Sequence, residues 1–139
     1  MNEMVLAIAA ILCWGIAPLF AKLGLQQADP LVGLTVRSAL VTTGIILVSL
    51  FTGRLALVRQ LPVRSVVLLG ADGLLAGFAA QLAFYWALKM GEASTITPLV
   101  AAYPLVTVAL AALLLGEKLT VAKSIGAVLI AAGVFLIKR

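Results

Sequence analysis

Five long apolar stretches, separated by short connections, fill almost all of this 139-residue chain. A helix needs about 20 consecutive apolar residues to cross the hydrocarbon core of a bilayer. Each stretch is long enough, the last only just, and no soluble fold would expose so much apolar surface. The sequence therefore predicts an all-α membrane protein, a single domain over residues 1–139 with five transmembrane helices at about residues 4–25, 31–52, 65–88, 94–115 and 120–137.

Composition agrees with this interpretation and excludes several kinds of function. Hydrophobic residues make up 64% of the chain and charged residues 11%, against about half and about a quarter in soluble domains. Cys13 is the only cysteine and histidine is absent, so we expect no disulfide, no metal site and no cofactor. No hydrolytic or phosphate-binding motif occurs, which argues against an enzyme. Glu3 stands where a cleaved signal peptide would carry basic residues, which argues against one.

The basic residues, which give a net charge of +5, do not indicate nucleic acid binding. They are scattered at the ends of the spans, where lysine and arginine anchor helices at lipid head groups. Five crossings would place five basic residues on one side of the membrane and four on the other, or five on each side if Arg37 is counted. The positive-inside rule needs a clear excess on one side, so this distribution does not fix an orientation. The N-terminal side would hold Arg54, Arg59, Arg64, Lys118 and Lys123, and the opposite side Lys22, Lys89, Lys138 and Arg139.

Two topologies follow from this weak bias. The arginine-rich loop at 53–64 is the strongest single signal and favours a cytoplasmic N-terminus. Alternatively, the chain inserts in both orientations and pairs with an inverted copy of itself. Many transporters contain two repeats of opposite orientation around a site near the midplane, and two inverted copies of one chain would reproduce that design.

The third span carries small and polar residues on one helix face. Gly70, Gly73, Gly77, Gln81 and Tyr85 recur at steps of three and four residues, a spacing that places them together. Glycines four residues apart let two helix backbones approach closely, so we interpret the glycines as packing residues. The amide of Gln81 and the phenol of Tyr85 need partners inside lipid, and we predict that both line a cavity.

Two ionisable residues lie well inside spans. Arg37 is about 9 Å into the second span, and Asp72 a similar distance into the third. Charges within the membrane are candidate functional sites, although the long side chain of Arg37 could also extend to the interface. In an inverted pair of chains Arg37 of one copy would come level with Asp72 of the other, as an ion pair or a proton site.

The fourth and first spans supply the remaining candidates. Pro98 and Pro104 each remove a backbone donor, so they predict either a gating hinge, as in broken transporter helices, or a structural kink. Tyr103 lies between them, and Trp14 stands about halfway across the first span. We predict that both aromatic residues line the substrate cavity with Arg37.

The order and spacing of these motifs resemble the EamA-type family of the drug/metabolite transporter superfamily. The resemblance covers essentially the whole chain and is strongest from Phe84 onward. It rests on Phe84–Lys89 (FYWALK), the Pro98 to Pro104 stretch, Leu115–Thr120 (LGEKLT), Ile125-Gly126, Gly133-Val134 and Trp14-Gly15.

The resemblance implies one five-helix repeat of an inverted-repeat transporter. Family members typically join two such repeats and move small metabolites, often exporting amino acids, by alternating access. A single repeat implies an antiparallel homodimer in the inner (plasma) membrane. The first-helix glutamate of the related small multidrug-resistance proteins is absent, and Cys13 and Trp14 occupy that region. An anionic, zwitterionic or neutral solute is therefore expected rather than an organic cation.

Other functions remain open at this point. The chain could be half of a heterodimeric transporter or of a lipid-carrier flippase. It could also be a membrane subunit that transports nothing and helps another protein to assemble.

Overall fold

The computed structural model describes residues 2–137, and Met1, Lys138 and Arg139 lie outside the described residues. Every regular element within the described range is helical. The chain divides into two compact units, residues 1–90 and residues 91–139. The prediction that the whole chain is one domain stays a prediction.

The first two spans are continuous helices that begin at side-chain caps. Helix α1 covers Glu3–Gly24, and the Asn2 side chain accepts a hydrogen bond from the Met4 backbone N–H. Helix α2 covers Pro30–Phe51, and Asp29 Oδ1 accepts from the Leu31 N–H at 2.8 Å. A carboxylate cap followed by proline at the first position is a strong start signal. Both helices lie within one residue of the predicted ranges.

The connection between the second and third spans is more ordered than predicted. A 3-10 helix covers Arg54–Gln60, where the sequence indicated only a loop. It follows Gly53, whose φ of 67° lies in the left-handed region that glycine adopts without strain. Arg54 and Arg59 therefore stand on a short helix.

The third span is one helical rod over Val63–Met90 that changes its winding in the middle. Helix α3 covers Val63–Asp72, a π-helical segment covers Gly73–Ala80, and helix α4 covers Gln81–Met90. A π-helix has a wider turn than an α-helix. The shared face predicted for the third span from α-helical spacing therefore does not continue unchanged through residues 73–80.

The second unit contains three helices and a break between the first two. Helix α5 covers Ala93–Val100, α6 covers Tyr103–Leu114 and α7 covers Val121–Ile137. Pro98 lies inside α5, and Pro104 lies in the first turn of α6. The helix α7 packs against both α5 and α6.

Four helical rods are long and apolar enough to cross a membrane, namely Glu3–Gly24, Pro30–Phe51, Val63–Met90 and Ala93–Leu114. Helix α7 is apolar but has only 17 residues, which corresponds to about 26 Å. The predicted all-helical membrane fold with these four spans is confirmed. A fifth crossing by α7, at the short limit for a bilayer core, stays a prediction.

Candidate functional site

The first unit is packed tightly at one end, where α4 meets α1 and α2. The buried side chains there include Leu25, Pro30, Leu34, Tyr85 and Leu88, and we call this cluster the closed end. Gly33 permits the close approach, because a Cβ atom there would lie 3.1 Å from Leu25 Cδ2 and 3.7 Å from Tyr85 Cε2. A Cβ atom at position 33 would require the Leu25 side chain to shift by a few tenths of an ångström, and a larger side chain would require more.

Two lysines connect the helix ends at the closed end. Lys22 Nζ donates to the Leu88 carbonyl at 2.6 Å, and Lys89 Nζ donates to the Ala28 carbonyl at 2.7 Å. Lysine in the last turn of a helix also interacts favourably with the negative end of the helix dipole. Lys22 thus connects α1 to α4, and Lys89 connects α4 to the loop between α1 and α2.

Deeper in the first unit, away from the closed end, the tight packing among α1, α2 and α4 stops. Pro18 of α1 is buried, Gly33 of α2 is close-packed and Tyr85 of α4 is only 6% exposed. Residues four positions apart share a helix face. The positions one turn deeper on these same three faces are Trp14, Arg37 and Gln81.

We take these three positions as the candidate site and call the group the site cleft. Each lies about 6 Å deeper than its packed neighbour, so all three are at a similar depth. Trp14 is 68% exposed, Arg37 is exposed and Gln81 is half-buried. Tyr85, which is nearly buried, lies one turn from Gln81 on the same face of α4. Four of the five predicted substrate-binding residues thus lie in the first unit, at similar depths on α1, α2 and α4, and their role in binding stays a prediction.

The residues of the site cleft carry three different kinds of binding group. Within residues 2–137 no ion pair involves Arg37. A guanidinium can bind a carboxylate through two parallel hydrogen bonds. The Gln81 amide can both donate and accept, and the Trp14 ring offers an apolar surface.

Asp72 lies apart from the site cleft. It is the last residue of α3, nine positions before Gln81, and its side chain is exposed. No ion pair involves this carboxylate in the described part of the chain. Its assignment as a proton or ion-pair site stays a prediction.

The second unit carries the remaining predicted residues, Pro98, Tyr103 and Pro104. The helical rod breaks at residues 101–102, between the two prolines. Tyr103, the first residue of α6, is 58% exposed. The Thr97 hydroxyl is buried in α5 without a hydrogen-bond partner among the described residues. The break lies where the prolines predict it, and its role as a hinge stays a prediction.

A larger groove of about 550 Å³ runs along another face of α2. The hydroxyls of Thr35 and Thr43 donate to carbonyls of their own helix, at 2.9 and 2.8 Å, as expected for hydroxyls in apolar surroundings. None of the candidate residues named in the sequence analysis lines this groove. The lining residues of α2 recur at steps of three and four residues, a spacing that could have indicated a shared face. The groove is lined by Leu31, Leu34, Thr35, Ser38, Ala39, Thr42 and Thr43 of α2 and by Phe78 of the third span.

Four apolar helices of membrane-spanning length that carry polar residues inside them define a membrane-embedded protein. The chain belongs to the EamA-like transporter family, whose match covers residues 1–139. The resemblance drawn from the sequence motifs is thereby confirmed.

Two relatives add to this result. A Sinorhizobium protein named "Uncharacterized transporter in cobO 3'region" is 31% identical over 118 residues, which are 85% of this chain and 83% of the relative. An uncharacterized protein of Methanocaldococcus jannaschii is 46% identical over 57 residues, which are 41% of this chain and 42% of that protein. No solved structure matches the chain.

Proposed function

We propose that the protein exports small anionic, zwitterionic or neutral metabolites, such as amino acids, across the inner (plasma) membrane. The observation that carries this proposal is the alignment of Trp14, Arg37 and Gln81, each one turn deeper than a packed residue on the same helix face. The guanidinium would hold the carboxylate of the solute, and the indole and amide would contact the rest of it. The protein would act as a transporter and not as an enzyme.

The site cleft would be completed by a second, inverted copy. In one chain Trp14 is two-thirds exposed, and an uncovered arginine in lipid carries a large free-energy cost. Along the helices Arg37 lies about 10 Å from Pro30, and Asp72 lies about 13 Å from Val63. Inversion would therefore bring Arg37 and Asp72 of different copies to within one helical turn in depth.

Transport by purified protein in liposomes tests the function. The probe is a panel of radiolabelled proteinogenic amino acids, each loaded inside the vesicles. We expect export of at least one of them by the wild-type protein alone. Arg37→Gln should lower that export about tenfold or more, because a charge-assisted hydrogen bond is worth about 1.5–3 kcal/mol.

A matched control removes the same charge outside the spans. Arg59→Gln changes the 3-10 helix and should leave export unchanged. Equal loss in both variants, or no export of any panel member by a protein that is folded, would contradict the proposed substrate class. Export only after a second membrane protein is added would indicate half of a heterodimer.

Tyr85→Phe separates solute contact from packing. The Tyr85 side chain is nearly buried, so Tyr85→Ala would damage the closed end itself. The phenylalanine variant keeps the ring and removes only the hydroxyl. Lower export at unchanged thermal stability would assign the hydroxyl to the solute, and unchanged export would remove it from the site.

Charge exchange tests the inverted pair. Arg37→Asp and Asp72→Arg should each reduce the dimer fraction measured by single-molecule photobleaching. The double variant should restore it, because the ion pair would re-form with exchanged partners. A double variant no better than either single variant would exclude this contact.

The helix break at residues 101–102 would serve as the hinge for alternating access. Pro98→Ala and Pro104→Ala would each allow α5 and α6 to form more regular backbone hydrogen bonds. We expect slower export by these variants with unchanged solute binding, since hinge residues control the rate of opening. Unchanged export rates in both variants would assign the prolines a structural role.

A further inference from the structure

The first unit carries a positively charged surface where α2 connects to α3. Arg54 and Arg59 stand on the 3-10 helix, and Arg64 follows in the first turn of α3. All three side chains are exposed, and none of them forms an ion pair within residues 2–137. No aspartate or glutamate occurs between Asp29 and Asp72, so no neighbour in the sequence neutralises this charge. We call the 3-10 helix and these three arginines the arginine surface.

The three guanidinium groups are close enough to act on one ligand surface. A 3-10 helix rises about 2.0 Å per residue, so Arg54 and Arg59 are about 10 Å apart along its axis. Arg64 follows Arg59 by five residues, of which only Leu61 and Pro62 lie between the two helices. These separations are comparable to the Debye length, which is about 8 Å at physiological ionic strength. The arginines therefore produce a joint positive field.

The same 3-10 helix also carries an apolar row. Side chains three residues apart eclipse each other in a 3-10 helix, which aligns Leu55 with Val58, and Leu61 follows at the end of the helix. These side chains are 43%, 56% and 43% exposed. Arg54 and Arg59 lie on the two remaining rows. The short helix is therefore amphipathic, with an apolar row between two rows that each carry an arginine.

The connections of the 3-10 helix place it at the membrane surface. Helix α2 has 22 residues, and its length of about 33 Å is close to the thickness of a bilayer core, about 30 Å. The 3-10 helix begins three residues after α2 ends, packs against α2, and ends three residues before α3 begins. Because both of its ends are tied to spans, it is held at the level of the lipid head groups.

An anionic phospholipid surface matches both the charge and the apolar row. Arginine binds phosphate groups through charge-assisted hydrogen bonds, and the apolar side of an interfacial helix enters the boundary between head groups and acyl chains. A free phosphate in water would use the arginines and leave Leu55 and Val58 in contact with water. We propose that the 3-10 helix lies flat in the membrane interface, where the arginine surface binds the head groups of anionic phospholipids.

The arginine surface is separate from the site cleft, and this proposal does not depend on the proposed transport function. The site cleft lies inside the spans, whereas the arginine surface follows the far end of α2. Its arginines would control the retention of anionic lipid and not the binding of solute. Arg59→Gln therefore remains a control for solute binding at Arg37.

The test compares two double variants that remove the same amount of charge. Arg54→Gln with Arg59→Gln changes the arginine surface. Lys118→Gln with Lys123→Gln is the matched control in the second unit, where Lys123 already pairs with Glu117 at 3.5 Å. All four substituted side chains are exposed, so we expect both variants to fold, and thermal unfolding in detergent checks this.

The first measurement is native mass spectrometry of the detergent-purified protein with phosphatidylglycerol or with the zwitterionic phosphatidylcholine. We expect the wild-type protein and the lysine variant to retain phosphatidylglycerol in preference to phosphatidylcholine. The arginine variant should bind phosphatidylglycerol about tenfold or more weakly, because each basic residue near an anionic surface contributes about fivefold to binding. No preference in the wild-type protein, or an equal loss in the two variants, overturns the proposal.

The second measurement locates the apolar row relative to the membrane. Val58→Cys and Gln60→Cys, each made together with Cys13→Ser, carry a nitroxide spin label in vesicles that contain phosphatidylglycerol. We expect oxygen dissolved in the lipid to reach the label at position 58 more readily, and a water-soluble nickel complex to reach the label at position 60. Equal access of the nickel complex to both labels would show that the 3-10 helix projects into water, which also overturns the proposal.

Discussion

The third span contains two regions that both carry leucines but pack differently. In α4, Leu88 is fully buried, whereas in the π-helical segment Leu74 and Leu75 are 67% and 69% exposed. Lipid is as apolar as leucine, so hydrophobicity alone does not bring membrane helices together. The difference comes from shape and hydrogen bonds, because α4 has Gly33 opposite Tyr85 and a lysine–carbonyl bond at its end.

The largest expected change in stability comes from removing a buried leucine of α4, and comparison with an exposed leucine of the π-helical segment tests whether burial distinguishes the two regions. Leu88→Ala should lower the free energy of unfolding by about 2 kcal/mol or more, because it leaves a cavity among α1, α2 and α4. Leu74→Ala removes the same atoms from an exposed position and should cost much less. Thermal unfolding in detergent measures both, and equal losses would show that the closed end is not the packed region.

Gly33 and Gly77 offer a second contrast, between a glycine in contact and one that is open. Gly33→Val should destabilise the chain by about 1–3 kcal/mol, since its side chain would collide with Leu25. Gly77 has no atom within 4 Å of an added Cβ, so Gly77→Val should leave unfolding unchanged. A lower dimer fraction for Gly77→Val alone would place a second copy on the π-helical segment.

The cap of α2 is expected to have a smaller effect. Asp29→Ala removes the acceptor for the Leu31 N–H and should cost about 1 kcal/mol. Asp29→Asn keeps a side-chain oxygen at that position and should cost little. Urea unfolding of both variants measures the difference, and equal stability would show that water replaces the carboxylate at this helix end.

The smallest effect is expected in the second unit. Lys123 Nζ and Glu117 Oε2 are 3.5 Å apart, and about half of each side chain is exposed. Such surface pairs contribute at most about 1 kcal/mol. Glu117→Gln should therefore barely change thermal unfolding, at low or high salt. A loss as large as that of Asp29→Ala would mean that this pair is shielded from water in the assembled protein.

The positions of the helices could be read from the sequence because each span must be apolar over the full thickness of the bilayer. The observed ends of four rods differ from the predicted ends by at most two residues, as at Val63 and Met90. Asp29-Pro30 explains one boundary, and the pair Pro98 and Pro104 explains the break in another rod. The 3-10 helix at Arg54–Gln60 gave no comparable signal, since its residues are typical of a loop as well.

The candidate site could be predicted only in part. Polarity inside apolar spans identified Trp14, Arg37, Gln81 and Tyr85, because such residues are costly in lipid. It did not indicate that Tyr85 is packed while Gln81 is only half-buried, nor that Lys22 and Lys89 share a pocket. Those relationships join helices that are far apart in the chain, and spacing along one helix carries no information about them.

The sequence by itself determined that the chain is helical and membrane-embedded, since backbone hydrogen bonds must be satisfied within each span and lipid selects apolar side chains. Only the tertiary structure decided where packing stops. The same faces of α1, α2 and the third span are packed at Pro18, Gly33 and Tyr85 and open one turn deeper. The reason is geometric, because steric fit across helices depends on a three-dimensional register that no single segment specifies.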